Sequence, residues 1–82
     1  MKLKVGSQNS LILDYLMGGE TLTPLEALAK FGCLRLGARI YEINEYLIAE
    51  TPGLEVVPEM VTVLDPAGNR KKVARYRLVE IF

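Results

Sequence analysis

The chain has 82 residues, which is too short to divide into two stable cores, so we expect a single domain spanning residues 1–82. Half of the residues are hydrophobic, which excludes a disordered tail, and no apolar run is long enough to cross a bilayer, so we expect no membrane association. Ten basic and ten acidic residues give a formal charge of zero, which counts against nucleic-acid binding because DNA-binding domains usually carry a basic excess.

The first part of the chain is predicted to contain one helix and one short strand. Residues 1–6 are expected to be a lead-in. A helix follows over 7–17, with Ser7 as its N-cap and two consecutive glycines, Gly18 and Gly19, at its end. The segment 20–23 favours a short strand around Leu22.

A second helix is predicted over 24–31 because its start signals are unusually complete. Thr23 is suited to the N-cap, Pro24 fits the first helical position, and Glu26 lies three residues after Thr23, as in a capping box. Gly32 can adopt the left-handed conformation that ends such a helix. Three residues share one face of this helix: Leu25, Leu28 and Ala29.

A third helix is predicted over 34–47 from a stripe of apolar residues at spacings of four, three and four. The stripe consists of Leu36, Ile40, Ile43 and Leu47. A short helix, a corner containing glycine and a longer helix together are typical of a helix-turn-helix motif.

A hairpin is predicted over 54–81. Its first strand contains Pro58, which must lie at an edge or a bulge, and its second strand directs Tyr76 and Leu78 into the core. The turn cluster at 65–69 joins the two strands. The element order is helix, strand, helix, helix, strand, wing, strand, so we predict an α+β winged helix-turn-helix fold with three helices and a small three-stranded antiparallel sheet.

Several strings in the chain resemble a known group of domains. They are LTPLEAL at 22–28, FGC at 31–33, RLGARIYEI at 35–43 and VARYRL at 73–78. Together they resemble the small helix-turn-helix domains of phage and prophage proteins, over roughly residues 8–78. The resemblance implies a winged-helix fold, DNA binding and a phage or prophage origin.

The chain departs from that group in one place: after Ile43, where such domains often carry basic residues, it has Asn44 and Glu45.

The third helix offers two candidate DNA contacts. In a helix-turn-helix the second helix enters the major groove, and Arg35 and Arg39 lie outside its apolar stripe. Arginine suits a bidentate contact to guanine or a contact to phosphate. The alternative is that these arginines form structural ion pairs, as Arg39 and Glu42 can at a spacing of three residues. Tyr41, between the two faces, is expected to pack against the protein rather than stack on a base.

The second strand of the hairpin carries the densest group of cations. Residues 31–60 have two basic and five acidic residues, whereas residues 61–82 have five basic and two acidic residues. On a wing these cations would contact phosphates, and the alternative is a solvated hairpin whose charges discourage pairing with other strands. The candidate phosphate contacts are Arg70, Lys71, Lys72 and Arg75.

Catalysis is not expected. The chain has no histidine, and its single cysteine, Cys33, is expected to be a small buried thiol, so we predict no enzyme activity, no metal site and no cofactor. The predicted function is that of a cytoplasmic regulatory protein that binds double-stranded DNA. The alternative is a winged-helix protein-interaction module, a homodimer or a complex with another protein, suggested by the zero net charge, by acidic Glu42 and Glu45, and by apolar Leu34.

Overall fold

The computed structural model describes residues 7–81 as three helices followed by a long antiparallel hairpin. The helices are α1 (Gln8–Met17), α2 (Pro24–Phe31) and α3 (Leu36–Glu50), and the strands are β1 (Leu54–Leu64) and β2 (Arg70–Glu80). The lead-in predicted at 1–6 lies outside the described residues.

The starts of the first two helices follow from their caps. The Ser7 hydroxyl accepts a hydrogen bond from the Ser10 N–H at 3.2 Å. In α2 the Glu26 N–H donates to the Thr23 hydroxyl at 3.3 Å, and the Thr23 N–H donates to the Glu26 carboxylate at 2.9 Å. The predicted capping box is therefore present, and it fixes where α2 begins.

The third helix is displaced along the chain from its predicted range of 34–47. It begins at Leu36, because Arg35 has a non-helical backbone with φ of −130° and its side chain makes no capping hydrogen bond. It continues to Glu50 and stops at Thr51, the residue before Pro52, where a proline disfavours helical geometry. The spacing of apolar residues correctly predicted the buried stripe of α3, but it did not predict where the helix begins and ends.

Within residues 7–81 the sheet has two strands, so the prediction of a three-stranded sheet is wrong. Leu22 makes only an isolated bridge with Tyr76, whose two N···O distances are 3.0 and 2.8 Å. In an antiparallel pair the next residue to face β2 would be Pro24, which has no N–H and is the first residue of α2. The start of α2 thus ends the pairing.

The backbone N–H and C=O groups of β1 point alternately toward and away from β2, and this alternation explains how the strand accommodates Pro58. In an antiparallel pair every second residue directs its N–H and C=O away from the partner strand. Val56 does so, since both groups bond to a side chain on α3, and Pro58 is two residues further along. The nitrogen of Pro58 therefore faces the outer edge of the hairpin, and no hydrogen bond to β2 is lost.

The core lies where the three helices meet the base of the hairpin. Its fully buried side chains come from α1, the bridge residue, α3 and β1: Ile12, Leu16, Leu22, Ile43, Leu47 and Val56. Tyr76 and Leu78 pack against this core, as predicted. The shared face of α2 does not enter the core, because Leu25, Leu28 and Ala29 are exposed and Ala27 is buried instead.

Asn44 joins α3 to the hairpin. Its side-chain amide donates to the Val56 carbonyl at 2.9 Å, and its side-chain oxygen accepts from the Val56 N–H at 2.8 Å. These two bonds satisfy the outer edge of β1 at this point, as a neighbouring strand would. The asparagine that departs from the phage-type pattern therefore positions the hairpin against α3.

We expect Asn44→Ala to lower the free energy of unfolding by about 1–3 kcal/mol, because the Val56 N–H and C=O lose their partners in a partly buried position. Urea denaturation followed by circular dichroism measures this change. The neighbouring exposed residue supplies the control, Glu45→Ala, which should change stability by less than about 0.5 kcal/mol. Equal stability of the two variants would show that the Asn44 bonds do not hold the hairpin in place.

Candidate nucleic-acid interface

The corner between α2 and α3 presents the start of α3 to the outside. Gly32 adopts the left-handed conformation with φ of 65°, and its N–H donates to the Leu28 carbonyl at 3.0 Å. Cys33 is buried beneath the corner, as predicted for a small thiol. The next two residues, Leu34 and Arg35, are exposed. The corner therefore places an arginine at the N-terminal end of α3.

The outward face of α3 is mixed and carries no cation in its middle. Leu36, Ile40 and Ile43 are buried, so the opposite side of the helix faces outward. Its exposed residues in the first three turns are Gly37, Tyr41, Glu42 and Glu45. Any electrostatic attraction between the side-chain charges of this helix and a polyanion is consequently confined to its N-terminal end.

The two arginines predicted to enter the major groove differ in their surroundings. Arg35 is exposed and makes no ion pair within residues 7–81. Arg39 is half-buried, and its Nε lies 2.8 Å from Glu42 Oε1, which also accepts from Asn9 Nδ2 at 3.2 Å. The ion pair considered from the sequence is therefore formed, and it compensates the charge of Arg39.

Tyr41 is a polar residue whose exposure was not expected from the sequence. It was predicted to pack against the protein, but 68% of it is exposed. Its position one residue after the buried Ile40 is a signal for this, since a residue about 100° further around the helix leaves the core. Its hydroxyl is available to donate a hydrogen bond to a phosphate or a base edge.

The cations of the hairpin fall into two groups. Arg70, Lys71 and Lys72 are exposed, and none of them makes an ion pair within the described part of the chain. Arg75 Nη2 lies 3.5 Å from Glu59 Oε2 on the facing strand, and Arg77 Nε lies 3.7 Å from the same oxygen. We call residues 70–72 the wing cations. They differ from Arg75 in forming no ion pair with a carboxylate among residues 7–81.

The turn at the end of the hairpin contains a carboxylate that forms no ion pair with the wing cations. Asp65 Oδ1 accepts hydrogen bonds from the N–H groups of Ala67 at 3.0 Å and Asn69 at 2.8 Å. Gly68 supplies the left-handed residue of this turn, with φ of 85°. Asp65 therefore stabilises the turn through its backbone hydrogen bonds.

The start of α3 and the hairpin lie on two sides of one groove. Leu34, which precedes Arg35, lines this groove together with Lys71, the middle wing cation. The groove has a volume of about 530 Å³ and also borders the first half of α2. The fold thus brings Lys71 and Leu34, the neighbour of Arg35, to a single groove, whereas Arg39 and Arg75 are held by carboxylates.

Within residues 7–81 no group of three or more cysteine, aspartate or glutamate side chains is placed to hold a metal ion. No helix of the described segment is long and apolar enough to cross a membrane.

Comparison with known families identifies the chain. Residues 7–81 match the family described as a winged helix-turn-helix domain, and the chain therefore belongs to this family. Comparison with curated proteins and with solved structures gives no match.

Proposed function

We propose that this winged helix-turn-helix protein binds double-stranded DNA, with the start of α3 in the major groove and the wing cations on the phosphate backbone. The observation that carries the proposal is a set of exposed cations that make no ion pair among residues 7–81: Arg35, Arg70, Lys71 and Lys72. Lys71 and Leu34, the neighbour of Arg35, line one groove, and helix-turn-helix proteins approach DNA with the N-terminal residues of their second helix.

Arg35 is the residue proposed to reach base edges. It lies at the N-cap of α3, and a guanidinium there is suited to a bidentate contact with guanine O6 and N7 or to a phosphate contact. Tyr41 adds a hydroxyl on the same exposed side of α3.

We assign Arg39 and Arg75 a smaller contribution to DNA binding than we predicted from the sequence. Each has a carboxylate within 3.5 Å, Glu42 for the first and Glu59 for the second. A contact to DNA would have to replace these ion pairs, and the two carboxylates would then face the phosphates. We therefore expect both arginines to contribute less to DNA affinity than the unpaired cations.

The zero net charge is compatible with this proposal because the acidic residues are not spread evenly. Five of the ten lie within residues 31–60, whereas the wing cations lie at the start of β2. Local charge distribution determines the field that a nearby polyanion experiences. Glu42 and Glu45 limit the approach of α3 to its first turn and do not oppose the wing contacts.

Regulation of transcription, a phage or prophage origin and a cytoplasmic location stay predictions that follow from DNA binding and from the sequence resemblance. The alternative of an interaction module without DNA binding rests on the exposed apolar Leu34 and on the acidic side of α3.

A pair of matched charge reversals tests the proposal. We expect Arg35→Glu to weaken binding to a fluorescently labelled random duplex at least tenfold, measured by anisotropy. Arg39→Glu carries the same change of charge at a residue that is already paired, and we expect a smaller loss. Equal losses would contradict the assignment of Arg35 as the principal contact of α3, and unchanged affinity in both would exclude α3 from the interface.

A further inference from the structure

The outer edge of β2 is open next to the groove. Tyr76 directs its N–H and C=O away from β1 and bonds to Leu22. By the alternation of an antiparallel strand, Ala74 and Lys72 direct their N–H and C=O to the same side. Neither residue has a backbone partner on that side among residues 7–81. The edge therefore presents two residues of unpaired backbone.

This edge is left open by the local sequence. Within residues 7–81 the outer edge of β2 pairs with backbone only at Leu22, and Pro24 then turns the chain into α2. Between α2, the corner before α3 and the outer half of the hairpin lies the groove of about 530 Å³. Its apolar lining side chains are Leu25, Leu28, Leu34, Val63, Leu64 and Val73.

The groove is apolar in a way that DNA binding does not require. Leu25, Leu34 and Leu64 line it and are 76%, 83% and 70% exposed. Clusters of large exposed apolar side chains on a folded domain mark surfaces that bind other molecules. Phosphates and sugars offer little apolar surface to such side chains, so the groove favours a protein segment as its occupant.

The charges beside the outer edge of β2 indicate which kind of protein segment can bind there. The wing cations Arg70, Lys71 and Lys72 lie along β2, and the facing residues of β1, 62–64, are uncharged. A second copy added antiparallel through Lys72 and Ala74 would place Lys71 opposite Arg75 of that copy, and like charges directly opposite each other destabilise strand pairing. An acidic segment would instead place carboxylates opposite the cations.

We propose that the groove and the open edge of β2 bind an extended segment of a partner protein in which apolar residues alternate with aspartate or glutamate. Backbone hydrogen bonds form to Lys72 and Ala74, apolar side chains enter the groove, and carboxylates face Arg70 and Lys72 on the opposite side of the hairpin. This site adjoins the proposed contact of Arg35 with DNA, because Leu34 lines the groove and both sites use the wing.

The probe is an acetylated, amidated octapeptide in which valine alternates with glutamate. We expect it to shift the NMR amide signals of Lys72 and Ala74 and to slow their hydrogen exchange, because both amides become hydrogen-bonded. A peptide with lysine in place of glutamate should bind at least tenfold more weakly. A peptide with N-methylated backbone nitrogens on its pairing side should also lose affinity, since it cannot donate to β2.

Two variants test the groove itself. Leu25→Asp is expected to weaken binding of the octapeptide at least tenfold, and it should leave α2 folded because an acidic residue is favourable in the first turn of a helix. Ile48→Asp makes the same kind of change at an apolar residue that is 70% exposed on α3 and does not line the groove, so the affinity for the peptide should stay unchanged.

Three results would overturn the proposal. One is the absence of amide shifts at Lys72 and Ala74 at millimolar peptide. A second is equal weakening by Leu25→Asp and Ile48→Asp. The third is dimerisation in sedimentation analysis that Leu25→Asp abolishes, which would assign the groove to a second copy of the chain. None of these outcomes depends on DNA binding, which the anisotropy of the Arg35 variant tests separately.

Discussion

Replacing the three wing cations by glutamine, in the variant Arg70→Gln/Lys71→Gln/Lys72→Gln, is expected to weaken DNA binding about a hundredfold at about 0.1 M salt, because each phosphate contact releases condensed counterions. It should also reduce the slope of log affinity against log salt by about 2.7, since each contact contributes about 0.9. These residues are exposed, and no carboxylate pairs with them within the described chain. Fluorescence anisotropy at several salt concentrations measures both quantities.

The control for the wing variant removes arginines that already have partners. Arg39→Gln/Arg75→Gln neutralises two cations that lie within 3.5 Å of a carboxylate. We expect it to change the salt slope by less than about 0.9, the value for one full phosphate contact. A slope that falls as much in this control as in the wing variant would show that pairing does not separate contacting from non-contacting cations.

The second large effect concerns the helix that positions Arg35. Ile43 is completely buried near the middle of α3, and we expect Ile43→Ala to lower the free energy of unfolding by about 2–5 kcal/mol through lost burial and the cavity left behind. Such a loss is a large part of the roughly 5–15 kcal/mol that stabilises a small domain. Urea denaturation provides the measurement.

An exposed apolar residue on the same helix serves as the control. Ile48→Ala removes the same atoms from a side chain that is 70% exposed, so its stability should fall by less than about 0.5 kcal/mol. If Ile43→Ala were equally mild, the packing of α3 against the other helices would not be what holds the start of α3 in position.

The parts of the fold that depend on local sequence could be predicted. The capping box of Thr23 and Glu26 involves residues three apart, and its hydrogen bonds form as the pattern indicates. The buried stripe of α3 follows from helical periodicity, and all four of its residues are in the core: Leu36, Ile40, Ile43 and Leu47. Such signals need no knowledge of the rest of the chain.

The third strand could not be assigned correctly from strand propensity alone. The segment around Leu22 favours extended backbone, and its one bridge to Tyr76 does form. The next residue that could pair with β2 is Pro24, which has no N–H and begins α2. The start signal of the helix therefore limits the extended segment to one bridge.

The candidate DNA interface could not be predicted from the sequence alone, because it depends on contacts that form only in the folded chain. Arg39 had two open roles in the sequence, and only the 2.8 Å distance to Glu42 distinguishes it from Arg35. The groove arises because the outer half of the hairpin lies across from Leu25 and Leu34, residues far from it in the chain. No spacing of residues along the sequence indicates this arrangement.

The most direct test of the account is the salt dependence of DNA binding by the unmodified protein. The three wing cations, each on one phosphate, predict a slope of log affinity against log salt of about −2.7, so affinity for a labelled random duplex should fall about fortyfold between roughly 50 and 200 mM salt. Absence of binding at the lower salt concentration, or binding that does not change with salt, would contradict the proposed DNA interface.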